Sequence, residues 1–124
     1  MKKESNIQAS IQLELSKFGV RTFRNNIGSA INPHNGNYIQ FGVGGVGGSD
    51  LICIIPTVIT SDMVGKNIGV FGAIEVKNAN GRPSKDQLRF IEMVKESGGM
   101  SGIARSVDDA MSLFGIQASG GADE

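Results

Sequence analysis

Gly47-Gly48-Ser49-Asp50 opens the apolar run Leu51-Ile52-Cys53-Ile54-Ile55, and two further segments follow it: Gly69-Val70-Phe71-Gly72-Ala73-Ile74-Glu75-Val76-Lys77, then Gly81-Arg82-Pro83-Ser84-Lys85-Asp86-Gln87. The first two segments are rich in β-branched and apolar residues and read as strands. The third is a capping-box sequence opening a helix whose apolar positions are Leu88, Ile91 and Val94. Side chains alternate along a strand, so Glu75 and Lys77 share one face with Ala73, and Val76 is expected to point into the core. An antiparallel pairing of the two strands is expected to bring Asp50, at the start of one, near Glu75 and Lys77, at the end of the other.

Two carboxylates on adjoining strands make a hard, all-oxygen site suited to Mg²⁺ or Mn²⁺, and the Val76 carbonyl can add a ligand. A lysine beside such an ion can hold a water or a phosphate oxygen. This is equipment for phosphodiester hydrolysis, in which metal ions activate the attacking water and neutralise charge on the phosphate. The plain alternative for Glu75 and Lys77 is a solvated ion pair, of little worth on a surface. An acid and a lysine within so apolar a strand need a stronger reason.

Outward from this stretch, Ile7, Ile11, Leu15 and Phe18 recur at helical spacing, so a helix is expected from Glu4 to Phe18, closed by Gly19. Glu4 lies in its first turn. There it either meets the favourable end of the helix dipole or contributes to a metal site. Val20 to Arg24 reads as a short strand with Arg21 and Arg24 on one face, either as solvated charge or as phosphate contacts. The Asn25 to Asn37 segment reads as loop, and His34 within it is given no role. Tyr38 to Phe41 reads as a strand. The run Gly42-Val43-Gly44-Gly45-Val46-Gly47 matches G-x-G-x-x-G in form, but a strand rather than a helix follows it, which excludes a dinucleotide site. Either these glycines let a nucleic-acid backbone approach or they form a flexible hairpin loop. Met100 to Arg105 reads as a strand, and Ser106 caps a last helix with Val107, Ala110, Met111 and Phe114 inward.

Together, Gly-Ser-Asp, Glu-Val-Lys and the downstream Gln87 resemble the VRR-NUC family, a branch of the restriction-endonuclease-like nucleases with a PD-(D/E)xK-type site. The likeness extends to Glu4-x-x-Ile7-Gln8, to Phe23-Arg24-Asn25-Asn26-Ile27-Gly28, and to Gly98-Gly99-Met100-Ser101-Gly102-Ile103-Ala104-Arg105-Ser106. Ser49 stands where proline stands in the superfamily's name. The resemblance implies an α/β restriction-endonuclease-like core, a central mixed β-sheet flanked by α-helices. It implies a metal held by Asp50, Glu75, the Val76 carbonyl and Glu4, with Lys77 positioning or activating the water. Gln87 either reaches this site, as in the family, or only bonds back to the Ser84 backbone as a cap. DNA contacts are expected from Ser49, Arg21, Arg24, Arg82 and Lys85, and products with a 5′-phosphate and a 3′-hydroxyl.

At 124 residues, 40% of them apolar, the chain suits one domain, expected to span 1–116, with a small polar tail over 117–124 expected to be disordered. One cysteine, Cys53, excludes an internal disulfide and a cysteine-based zinc cluster. No apolar run is long enough for a bilayer and no signal-peptide core follows Met1-Lys2-Lys3, so a cytoplasmic protein is expected, in the host cytoplasm if viral. Net charge is zero, yet residues 1–89 hold ten Lys and Arg against six acids, and residues 90–124 hold two against six. With Asp50, Glu75 and Glu4 neutralised by metal, the catalytic face would be basic through Lys2, Lys3, Arg21, Arg24, Lys77, Arg82, Lys85 and Arg89.

The expected function is a metal-dependent, structure-specific DNA endonuclease. Stand-alone phage-type members of the family resemble Holliday-junction resolvases, and the two-fold symmetry of a four-way junction favours a homodimer. A flap or nicking endonuclease and a non-catalytic DNA-binding module are the alternatives.

Overall fold

The computed structural model describes residues 3–117, so Lys2 and nearly all of the expected disordered tail lie outside the described residues. The chain divides into two compact units, Met1–Ile55 and Pro56–Glu124.

In the first unit, helix α1 (Glu4–Ser16) runs to a turn closed by Gly19, whose φ of 81° only glycine adopts at no steric cost. The α1 stripe is less covered than its spacing implies, since Ile7, Ile11 and Phe18 are all exposed. Strand β1 (Arg21–Arg24) follows and pairs antiparallel with β4 (Leu51–Ile54), Arg21 opposite Ile54 and Arg24 opposite Leu51. Arg21 and Arg24 are three apart and therefore point to opposite faces of β1, not to one. Gln12 on α1 donates to the Thr22 hydroxyl at 3.1 Å and ties helix to strand. Between β1 and β4 lies a hairpin, β2 (Gly28–Ile31) against β3 (Tyr38–Phe41), also antiparallel. β2 replaces part of the expected loop. Its Gly-Ser-Ala-Ile sequence carries little strand propensity, and the pairing with Tyr38–Phe41 supplies what the sequence lacks.

The second unit begins with a 3₁₀ turn at Ser61–Met63 and reaches β5 (Gly72–Val76). Helix α2 (Lys85–Glu96) then leads to β6 (Met100–Ala104), and β5 pairs with β6 in parallel, Ala73 opposite Ser101 and Glu75 opposite Ile103. Helix α3 (Val107–Leu113) closes the unit, capped by the Ser106 hydroxyl, with Val107 exposed rather than inward.

The α/β class is as expected, but the described strands form three two-stranded ladders rather than one central sheet. The expected β4–β5 pairing is replaced by β1–β4 and β5–β6. The reason is local: β5 and β6 are joined through a helix, and a strand-helix-strand unit returns the chain in the same direction, which is what a parallel pair needs. Among the described residues the buried apolar ones are Ile54 in the first unit and Ile91, Val94 and Ala104 in the second.

The expected orientation of β5 is also reversed. Ala73 and Glu75 are partly covered and Val76 is 74% exposed, because α2 packs on the Glu75 side of the strand. Among the described residues no helix is long and apolar enough to cross a membrane.

Candidate active site on the strand-helix-strand unit

Glu75 lies one residue before the end of β5, and Lys77 one residue after it. The Lys77 N–H donates to the Ala104 carbonyl at 3.1 Å, so the parallel ladder continues through Lys77 and fixes its backbone. The Lys77 ammonium stands 3.5 Å from Glu75 Oε2, with the lysine side chain 21% exposed and the glutamate 29%. Such a half-covered pair is less screened than a surface one, yet both groups still meet solvent.

Gln87 completes the group from the first turn of α2. Its Nε2 donates to Glu75 Oε2 at 3.0 Å, while its Oε1 accepts from the Ser84 N–H at 2.9 Å. The Ser84 hydroxyl in turn accepts from the Gln87 N–H at 3.1 Å, closing a capping box. The two sequence-based alternatives for Gln87 are thus compatible: one amide caps the helix with its oxygen and holds Glu75 with its nitrogen. Both bonds to Glu75 go to Oε2, which leaves Oε1 without a partner among the described residues. Glu75 and Gln87 line a cleft of about 260 Å³ together with Ala73, Asp86, Phe90 and Ser101. The Ser101 hydroxyl is buried there without a hydrogen-bond partner among the described residues.

Asp50 and Glu4 belong to the first unit. Asp50 is exposed at the head of β4, where its carbonyl accepts from the Asn25 N–H at 2.8 Å and extends the β1–β4 ladder by one rung. Asn25 also holds the glycine-rich loop that leads into Asp50. Its Nδ2 donates to the carbonyls of Val43 at 2.8 Å and Ser49 at 2.9 Å, and its Oδ1 accepts from the Val43 N–H at 2.8 Å. Inside that loop Gly42, Gly44, Gly45 and Gly47 have positive φ, and a Cβ at Gly48 would collide with the Val43 carbonyl and Ile27. The loop is therefore a clamped turn rather than a flexible connection. Glu4 sits in the first turn of α1, at the favourable end of the helix dipole.

Ser49, Arg21 and Arg24 are exposed in the first unit, and Arg82 and Lys85 are exposed in the second, around the start of α2. Among the described residues no group of three or more His, Cys, Asp or Glu side chains converges on one point. Glu75 and Asp86 are the two acidic residues that line the cleft. Sequence reasoning missed Asn25 as the clamp of the Asp50 loop. It also missed Arg105, which bonds the turn between Lys77 and α2. An asparagine at the end of a strand, before a glycine-rich loop, is the signal that would have found the first.

No curated protein and no solved structure matches the chain at a significant level. A profile of the VRR-NUC domain, however, matches residues 2–108 and so takes in the Gly-Ser-Asp, Glu-Val-Lys and Gln87 positions together. The chain accordingly belongs to the VRR-NUC domain family, a restriction-endonuclease-like fold with a nuclease function on DNA.

Proposed function

We propose that the chain is a divalent-metal-dependent endodeoxyribonuclease, its nuclease domain spanning 1–116, that cuts branched DNA. The observation that carries this reading is the grouping of Lys77 and Gln87 around one oxygen of Glu75, a residue that lines an open cleft. The donor set fits a hard cation: carboxylate and carbonyl oxygens, with no sulfur or imidazole among them. Glu75 and the Val76 carbonyl would hold Mg²⁺ or Mn²⁺, and Asp50 and Glu4 are assigned to the same ion on the sequence pattern alone. When bound, the metal supplies charge neutralisation at the phosphate and lowers the pKa of a water.

The chain's own residues supply the rest. Gln87 donates to Glu75 and fixes the orientation of its carboxylate. Lys77, already within 3.5 Å of that carboxylate, donates to the attacking water or to a non-bridging phosphate oxygen. Attack by the water oxygen on phosphorus breaks the bond to the 3′-oxygen: the attacking water gives up a proton to solvent, the departing oxygen takes one up to become a 3′-hydroxyl, and the phosphate stays on the 5′-oxygen of the downstream strand. Arg21, Arg24, Arg82, Lys85 and the Ser49 hydroxyl bind phosphates of the flanking strands.

We take the substrate to be a four-way junction and the active form a phage-type homodimer acting in the cytoplasm, of the host where the source is a virus. A junction needs two matched cuts related by a two-fold axis, which a symmetric pair of identical sites provides. The test is Lys77→Ala in the full chain, with cleavage of labelled flap, splayed, duplex and four-way DNAs followed with added Mg²⁺ and with a chelator. Loss of cleavage with DNA binding retained is expected. Full Mg²⁺-dependent cleavage by folded Lys77→Ala refutes the assignment, a preference for flaps over junctions refutes the substrate, and a monomer on junction DNA refutes the dimer.

A further inference from the structure

We propose that Arg105 is a positioning residue for Glu75, Lys77 and Gln87, acting through the turn between β5 and α2; this rests on the reading of Glu75 and Lys77 as the reactive group. Arg105 stands directly after β6 and is exposed, so its sequence position suggests no more than a surface cation. Its Nη1 nevertheless donates to the Asn78 carbonyl at 2.6 Å and to the Gly81 carbonyl at 2.8 Å. These are the two ends of the turn that begins one residue after Lys77 and ends three residues before Ser84.

The turn has little else to hold its shape. Gly81 N–H reaches the Asn78 carbonyl at 3.2 Å, and Asn80 N–H reaches the Asn78 side chain at 3.1 Å. Both are bonds between neutral groups, whereas a guanidinium donates charge-assisted bonds of roughly twice the strength. Arg105 is itself anchored on the far side. Its N–H donates to Asp109 Oδ2 at 2.8 Å, and the Asp109 N–H donates to the Ser106 hydroxyl at 3.1 Å. The cap of α3 therefore fixes the Arg105 backbone, and the guanidinium transmits that position to the turn. The turn in turn sets how far Gln87, on α2, lies from Glu75, on β5. A displacement of about 1 Å in a group that orients the reacting atoms costs on the order of a hundredfold in rate.

The experiment compares Arg105→Ala with the unaltered full chain under conditions where both are folded. Steady-state cleavage of labelled branched DNA is measured over a range of salt, and amide hydrogen exchange is measured at Gly81 and Ser84. Positioning predicts that kcat falls about ten- to a hundredfold, that KM and the salt dependence stay unchanged, and that both amides exchange faster. A raised KM with unchanged kcat and a salt slope shallower by about one phosphate contact makes Arg105 a DNA ligand instead and overturns the proposal. Unchanged kcat with unchanged exchange overturns it as well. Should Arg105→Ala fail to fold, Arg105→Lys is measured identically, with an intermediate kcat expected and a wild-type kcat counting against. Lys77→Ala run in parallel separates the two layers. If it cleaves as wild type, the reading of the site fails, while the exchange data still decide whether Arg105 holds the turn. If it is inactive and Arg105→Ala retains full kcat, only the Arg105 proposal fails.

Discussion

Gln87 is the residue whose replacement tests the site most directly, because one side chain makes two bonds of different kind. In Gln87→Ala, the 3.0 Å bond to Glu75 Oε2 and the 2.9 Å bond from Ser84 N–H are both lost. The first is a bond to a charged group, worth about 1.5 kcal/mol once the partial exposure of Glu75 is allowed for. The second caps an exposed N–H that water can satisfy, and its loss costs about 0.5 kcal/mol. A total of about 2 kcal/mol lowers the melting temperature by roughly 8 °C in a chain of this size. Gln87→Glu separates the two effects. Its oxygen still accepts from Ser84, but the donor facing Glu75 becomes a second carboxylate, and like charges within about 4 Å repel by several kcal/mol at partly buried sites. Gln87→Glu is therefore expected to melt below Gln87→Ala without metal. It is also expected to gain more from added Mg²⁺ than the wild type, because a cation held between two carboxylates stabilises the state that binds it. Differential scanning fluorimetry with and without Mg²⁺ reads both quantities. Melting of either variant within about 2 °C of wild type refutes the stabilising bond. A Mg²⁺ gain for Gln87→Glu no larger than the wild type's refutes a metal at Glu75.

Two further outcomes are expected. Asn25→Ala removes three bonds that tie β1 to both ends of the glycine-rich loop, at a cost of about 2 kcal/mol, and should accelerate hydrogen exchange at the Val43 amide; an unchanged exchange rate there refutes the clamp. The Asp62 carboxyl is held below its usual range by the Thr60 hydroxyl, so its contribution to stability is present above the unfolded pKa and lost as pH falls through the folded one. Thr60→Val should return Asp62 towards the ordinary carboxylate value in an NMR titration, and an unmoved titration refutes that cause.

The parts of the fold legible in the sequence are those set by neighbours in the chain. The Ser84–Gln87 box and the apolar spacing after it place the start of α2, and glycine at position 19 stops the turn after α1, because each depends on residues a few positions apart. Strand partners are another matter. β2 has no strand-forming composition and exists because Tyr38–Phe41 lies opposite it across a turn in which Asn32 N–H reaches the Asn37 carbonyl at 2.7 Å. The covered face of β5 is not legible in the sequence for a similar reason. Alternation establishes that Glu75 and Val76 face opposite ways, but which face is covered depends on where α2 lands, and α2 lands on the side of Glu75. Arg105 was opaque because its role requires knowing that β6 runs parallel to β5 and so ends beside the turn after Lys77.

That parallel register explains how a unit with few buried residues among those described holds three polar side chains at fixed separations. Glu75, Lys77 and Gln87 come from a strand end, a turn and a helix start, segments that would each drift if they depended on apolar packing alone. Every one is instead pinned through backbone: Lys77 by its ladder bond to Ala104, Gln87 by the reciprocal cap with Ser84, and the turn between them by Arg105. Two of the three pins are supplied by β6 or by the residue after it. The last strand of the unit, which offers no charged side chain of its own to the cleft, is therefore the element on which the geometry of the group most depends.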